Sequence, residues 1–338
     1  MKRFLTMLIA LAIIAVPLVF ANGTQEPAGS AKPGAAVVEK LDKWPTSSIT
    51  IVITYKPGGS TGRHASAIAP YLSKELGVPV NVEYREGGDT TVGYLTHIRS
   101  DPEDGSYIVY GNLNAYCQNA VRGVYKYEDV VSLGMLVVGH RILAVNPQFN
   151  RFGDFKDFLA KVKANPDKYS TPASKGWGAV IEQVFAENGF KFRTVPYSGS
   201  DERLAFYAGD VDFYLTDYEN VASGGDASTY KPIAIFAKGS SYKIPMANDI
   251  VKEMGYKFEF PNMISPRNFQ VKASFKQKYP ARFDMLARAI KAAALNPDFQ
   301  ADMKKMGDAF AFNPVLPQES DAILDAYYRD LLKYKDLF

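Results

Sequence analysis

The sequence predicts an α/β protein of two lobes, on three observations. Short apolar runs alternate with helix-period stretches, glycine-rich turns sit between a run and a helix, and 338 residues suffice for two domains at roughly 150 residues each. Ile49-Thr50-Ile51-Val52-Ile53 is β-branched throughout and reads as a buried strand. It runs through Tyr55 into Pro57-Gly58-Gly59-Ser60-Thr61-Gly62, then into a helix with Ala65, Ile68, Ala69, Leu72 and Leu76 on one face. Pro70 bends that helix, Gly77 ends it, and Val78 to Val82 is the next strand.

Further along, Tyr107 to Tyr110 reads as a strand, and Leu133 to Val145 holds one or two more. Asp154 is placed to cap a helix bearing Phe155, Phe158, Leu159 and Val162. A second helix carries Val180, Ile181, Val184 and Phe185 and stops at Asn188-Gly189. Strands are expected over Phe192–Pro196, Val211–Leu215 and Lys231–Phe236, with a helix over Asp201–Ala208. Beyond Pro280 the pattern is mainly helical, with Phe283, Leu286, Ala287 and Ile290 on one face and Ile323, Leu324 and Tyr327 on another. This order places the late helices back on the first lobe. It predicts residues 44–143 with 264–338 as one domain and 144–263 as the other, with crossovers near His140–Pro147 and Phe260–Asn268 as the hinge.

The formal charge is +3, from 39 basic and 36 acidic residues; without Lys2 and Arg3 it is 37 against 36, or +1. That balance argues against nucleic acid or an anionic membrane as partner. The single Cys117 excludes an intrachain disulfide and a cysteine zinc site. Lys2-Arg3, the apolar run Phe4–Phe20 and Val19-Phe20-Ala21 read as a signal peptide (1–21) cleaved before Asn22, with residues 22–43 as a flexible tether. An uncleaved anchor is the alternative, and no lipobox cysteine is present.

The strand–PGGSTG–helix unit is the strongest local signal. Glycines let backbone N–H groups converge, the helix start adds about half a positive charge, and Ser60 and Thr61 add hydroxyls. A carboxylate fits such a site without metal or cofactor; the alternative is an ordinary tight turn. The pattern is neither a Walker loop nor GxGxxG. Ser174-Lys175-Gly176-Trp177-Gly178 repeats the logic in the second lobe, with an indole wall and Lys175 as a counter-charge, or is an ordinary capping turn. Asn112 to Tyr116 follows a strand and is a candidate cleft wall.

From Trp44 to Phe338 the chain resembles the Bug-type receptors of tripartite tricarboxylate transporters, which are periplasmic binding proteins. The resemblance is carried by Trp44-Pro45, Ile49–Gly59, Gly87-Gly88 with Gly93, Pro102 with Asp104-Gly105-Ser106-Tyr107, Val195–Ser200, Gly209-Asp210-Val211-Asp212-Phe213, Asn146-Pro147 and Asn165-Pro166. It implies a two-lobed Venus-flytrap fold of the type II periplasmic class, closing on a hinge. It implies a ligand carboxylate held by backbone amides from Pro57–Thr61 and Ser174–Gly178, no cofactor, periplasmic location, and delivery by a monomer to membrane permease subunits. Asp217 matches an acidic position near the cleft, or caps a helix. Where the family commonly has an aspartate after the glycine pair, this chain has Gly62, followed by Arg63 and His64. That departure argues against an amino-acid ligand and makes Arg63 a candidate clamp on a second carboxylate, solvent exposure being the alternative.

Two other functions compete: a ligand-presenting sensor for a membrane kinase, and an enzyme acting on an anionic substrate. The enzyme needs a base, nucleophile or metal set near the glycine loop, and the sequence offers none. His64, His97 and His140 are too scattered for a metal site. Cys117 reads as a small packing residue.

Overall fold

The computed structural model describes residues 44–174, 177–197, 201–222, 225–238, 242–306, 312–315 and 317–337. The expected signal peptide and tether, and Lys175, Gly176 and Ser198–Ser200, lie outside the described residues. The first strand, β1 (Ile49–Ile53), runs parallel to both β2 (Val80–Tyr84) and β3 (Tyr107–Asn112). A strand covered on both faces has no polar side to alternate with, which is why four of its five residues are Ile or Val. Helix α1 (Ser60–Leu76) lays Ala65, Ile68, Ala69 and Leu72 against this sheet, with Pro70 inside it facing solvent, and Gly77 ends it at φ 70°. Helices α2 (Thr91–Ser100) and α3 (Leu113–Val121) flank β3, and Asn112 caps α3 by accepting from Asn114 N–H at 2.8 Å.

Next comes β4 (Val130–Val145), a single strand of 16 residues where the sequence left one or two open. The middle of the chain follows: α4 (Phe155–Ala164), β5 (Ser170–Pro172), α5 (Trp177–Glu187), β6 (Arg193–Val195), α6 (Asp201–Ala208), β7 (Tyr214–Asp217), α7 (Tyr218–Ala222), β8 (Lys231–Ile235) and α8 (Ala247–Glu253). Asp154 caps α4 as expected, accepting from Asp157 N–H at 2.9 Å. The strand expected over Val211–Leu215 starts later, at Tyr214. Asp212 is held to Ser170 instead, its N–H donating to Ser170 O at 2.9 Å and its carboxylate accepting Ser170 N–H at 2.7 Å. Phenylalanines fill the core here, with Phe158 on Phe213 at 4.9 Å, Phe185 on Phe260 at 4.9 Å and Phe236 on Phe260 at 4.8 Å, all edge to face. Such pairs add about 0.5–1.5 kcal/mol each beyond their burial.

The chain closes with β9 (Ile264–Lys272), α9 (Ala273–Lys278), α10 (Pro280–Leu295), α11 (Pro297–Lys305), β10 (Phe312–Val315) and α12 (Pro317–Leu332). Phe283, Leu286, Ile290 and Phe299 share one core with Ile68 and Leu72, so α10 and α11 return to α1, while Leu324 and Tyr327 of α12 join the core that holds α3. β10 interrupts the stretch expected to be mainly helical. It pairs antiparallel to β4 at Met135 and Val137, which covers that strand's open edge.

The main sheet orders as β10-β4-β9-β3-β1-β2, and β4 changes partners along its length. Val130 to His140 pairs with β9, ending at His140 opposite Ile264. Arg141 to Ala144 then pairs with β7, beginning at Arg141 opposite Asp217, and Ile142 to Val145 pairs with β8. The changeover between His140 and Arg141 lies where the sequence puts one hinge crossover. No helix of the described residues is long and apolar enough to cross a membrane.

Candidate functional site

A cavity of about 610 Å³ opens at this changeover. Its floor is the loop that leaves β1: Tyr55, Lys56, Pro57, Gly58, Gly59, Ser60, Thr61 and Arg63 all line it. Gly58 has φ +89°, a backbone that L side chains rarely adopt, and Gly59 is the extended N-cap of α1 with no side-chain cap. The first intrahelical bond runs from Arg63 N–H to Gly59 O at 3.1 Å. The amides ahead of Arg63 have no acceptor within the helix, which is the usual anion-binding arrangement. Arg63 Nη1 donates to Gly58 O at 3.3 Å and so braces the loop.

Gly62 is buried. A Cβ there would stand 2.7 Å from the Tyr84 hydroxyl and 3.0 Å from its ring, so a larger residue would need the exposed Tyr84 side chain to move aside. Tyr55 keeps its phenol neutral, because burial pushes its pKa well up.

The facing wall is made of side chains: Glu202 and Arg203 at the start of α6, Tyr214 and Asp217 on β7, Asn220 on α7, with Asn112 and Arg267 between. Tyr214 donates to Glu202 Oε2 at 2.7 Å, and burial first and Glu202 second hold its phenol neutral. Arg203 donates to Asn220 O at 3.3 Å. Asp217 is buried, accepting from Ser265 Oγ at 2.7 Å and pairing with Arg141 at 3.2 Å and with Arg267 at 3.7 Å. Asn112 in turn donates to Ser265 Oγ at 3.0 Å, so a polar chain joins β3, β9 and β7 beneath the cavity. Arg267 also faces Glu219 at 3.5 Å. Burial works against its charge, but Glu219 and Asp217 more than offset that and its pKa lies above the ordinary value.

Four lining residues are cationic (Lys56, Arg63, Arg203, Arg267) and two anionic (Glu202, Asp217), so the walls carry a formal excess of +2 beside the helix start. Such a cavity attracts an anion and supplies neutral hydroxyl and amide donors to orient it.

Tyr55, Pro57 to Thr61, Arg63 and Asp217 thus share one cavity. Ser174 is not in its lining; its N–H donates to Glu182 at 2.9 Å, and the Glu182 pKa is raised by burial. Lys175 and Gly176 are outside the described residues, as is the Trp177 side chain, although Trp177 opens α5. Gly178 packs so closely on Ser174 that a Cβ would stand 2.3 Å from Ser174 Cβ, and 3.6 Å from Arg141 Nη1. Gly178 therefore stands beside Arg141, which pairs with Asp217. Glu202, Arg203, Tyr214, Asn220 and Arg267 were not anticipated. Two local signals for them were the helix start at Asp201 and the charge of Arg267 inside a buried strand.

The remaining singled-out residues have packing roles. His64 is buried against Tyr110 (3.3 Å to its hydroxyl), His97 pairs with Asp101 at 3.0 Å, and His140 meets the Tyr242 ring edge-on at 5.1 Å. Cys117 is buried among Tyr94 and Tyr116, and burial pushes its thiol well up, away from a nucleophilic thiolate. A second, open groove of about 430 Å³ between Leu95 and Tyr328 has no glycine loop.

The family model for the tripartite tricarboxylate transporter family receptor matches residues 65–323. The protein BugT of Bordetella pertussis is 25% identical over 239 residues, covering 67% of this chain and 71% of BugT. Among solved structures, MatC from Rhodopseudomonas palustris with bound malate superposes with a TM-score of 0.65 at 18% identity, over 87% of this chain and 99% of MatC. The R. palustris protein Rpa4515 with adipate gives 0.67 at 16% identity, over 87% and 98%. These likenesses show the two-lobed α/β binding-protein fold.

Proposed function

The chain belongs to the tripartite tricarboxylate transporter family of receptors, and from that premise we propose that its cavity captures a small carboxylate and presents it to the membrane permease subunits. One observation carries the reading: the unpaired amides at the start of α1, with Gly58 and Gly59 beside them, open into a cavity whose walls bear a net positive charge. A carboxylate is small enough for that cavity and needs no metal. The malate and adipate held by two structural relatives are ligands of this class. Tyr55, Pro57–Thr61, Arg63 and Asp217 are the proposed ligand-binding residues, and Ser174, Lys175, Gly176 and Trp177 are proposed to contact the ligand from the other lobe.

In this reading the chain works as a monomer and catalyses nothing. Residues 44–143 with 264–338 form one lobe and 144–263 the other. The changeover in β4 and the entry to β9 serve as the hinge. Ligand that bridges the lobes shifts the open–closed equilibrium, and the closed form is what a permease recognises. The N-terminal segment is removed before Asn22 and releases the protein to the periplasm; the intact mass of the exported protein tests this directly.

The capture reading is tested by melting the mature chain against a panel of mono-, di- and tricarboxylates, aromatic acids, amino acids and sugar phosphates. At a hundredfold excess over Kd a true ligand adds about 2.7 kcal/mol of stability. A shift produced by carboxylates, without turnover, is expected. A shift only with sugar phosphates or amino acids overturns the reading.

A further inference from the structure

Arg267 does more than neutralise two buried carboxylates. It is 3% exposed, sits on β9 and forms part of the cavity wall. Its guanidinium is poorly served by the protein. Nη1 donates to Ser265 O at 3.3 Å, the ion pairs to Glu219 and Asp217 are 3.5 and 3.7 Å long, and Nε has no hydrogen-bond partner among the described residues. A guanidinium carries five donors in a fixed fork and stays charged, so leaving most of them unmet in a buried position is costly unless something else accepts them.

The fold says where that acceptor would be. Arg267 pairs in register with Asn112 at the end of β3, and β3 lies beside β1, whose end begins the glycine loop. Arg267 therefore stands two strands across from that loop, about 10 Å at the usual strand spacing. The other wall cations are less suited to an inner anchor. Lys56 is exposed, Arg63 donates to Gly58 O within the loop itself, and Arg203 donates to Asn220 O.

We propose that Arg267 binds the far acidic group of the ligand while the α1 amides hold the near one, so that it selects a dicarboxylate over a monocarboxylate of equal length. This rests on the capture reading above and adds a specificity residue to it. Arg267 also supports its neighbours, so absolute affinity is a poor readout: loosening of the site weakens every acid alike, whereas loss of a second anchor weakens only the diacid.

The experiment is calorimetric titration of the mature chain with two matched pairs, adipate against hexanoate and malate against 2-hydroxybutyrate. Wild type is expected to prefer each diacid by about 10- to 100-fold, the worth of one charge-assisted hydrogen-bonded anchor. Arg267→Gln alone leaves Asp217 and Glu219 short of a counter-charge, so it is paired with Glu219→Gln; Arg267→Lys keeps the charge and loses the fork. In the paired variant the preference is expected to fall below about 3-fold with monoacid affinity little changed, and in Arg267→Lys to fall part of the way. If the paired variant does not fold, Arg267→Lys decides. A preference unchanged in the folded variants, or a wild type that binds each monoacid as tightly as its diacid, overturns the role of Arg267 and leaves carboxylate capture standing. A wild type that binds no carboxylate in the wider panel overturns both.

Discussion

The two walls of the cavity are built on different principles. One is main chain: a glycine loop and the first turn of α1, with Arg63 bracing it through Gly58 O. The other is side chain: Glu202, Arg203, Tyr214, Asp217 and Asn220, ordered by contacts between residues far apart in sequence. A main-chain wall recognises the charge and shape common to all carboxylates. A side-chain wall can be changed one residue at a time, and so is where relatives with different ligands would differ. On the proposed reading, general capture falls to the first wall and discrimination to side chains, Arg267 among them.

The largest expected effect strikes the main-chain wall. Ser60 is the first residue of α1, where proline is tolerated because its N–H has no helical acceptor, and Gly59 at φ −74° and ψ 164° already has the backbone that precedes proline. Ser60→Pro should leave Tm nearly unchanged while lowering carboxylate affinity by about 10- to 100-fold, and Ser60→Ala, which keeps the amide, should lose less. Equal losses in the two variants, by calorimetry, would mean that the hydroxyl rather than the amide binds.

Arg63→Ala comes next, with an expected loss of about 10-fold for every carboxylate, because it removes both a positive charge and the brace on Gly58 O. Unchanged affinity would place Arg63 outside recognition. On the side-chain wall, Glu202→Gln keeps an acceptor for Tyr214 and removes a negative charge that opposes an anionic ligand. It should raise dicarboxylate affinity by about 2- to 5-fold, an effect that 0.5 M salt largely abolishes. A loss instead would show that Glu202 accepts a hydrogen bond from the ligand.

The smallest effect concerns pH and compares His97, within α2, with His140 at the changeover. Burial lowers both pKa values; the Asp101 carboxylate partly opposes this at His97, and Asp217 at His140. Both rings thus favour the neutral form in the folded protein. The unfolded chain takes up protons below about pH 6.5, where the folded one resists, so this contribution to stability is present above that pH and is lost as pH falls. A decline in Tm of about 3 °C between pH 7 and 5.5 is expected, shallower in His97→Gln and in His140→Gln. Equal slopes in wild type and both variants would assign the decline to carboxylates.

The sequence made the first wall readable and the second largely not, for a physical reason. Gly58, Gly59 and Ser60 act through their own backbone, so composition and spacing along ten residues reveal them. Arg267 and Asn112 meet only because β9 pairs with β3 across a gap of more than 150 residues. Tyr214 lies on a strand whose start was misread, because the Asp212–Ser170 contacts that delay it join residues 42 apart in sequence. The succession of strands and helices along the chain and the return of the late helices to the first lobe were legible from periodicity. The partner change within β4 was not, since Leu133–Val145 is apolar on both sides of it.

The most direct test is a crystal structure of the mature protein grown with adipate. A carboxylate of the ligand should stand within hydrogen-bonding distance, about 2.7–3.2 Å, of the amide nitrogens between Gly59 and Gly62, with Glu202 and Asp217 on its far side. Adipate bound elsewhere, with water filling the space before those amides, would contradict the account.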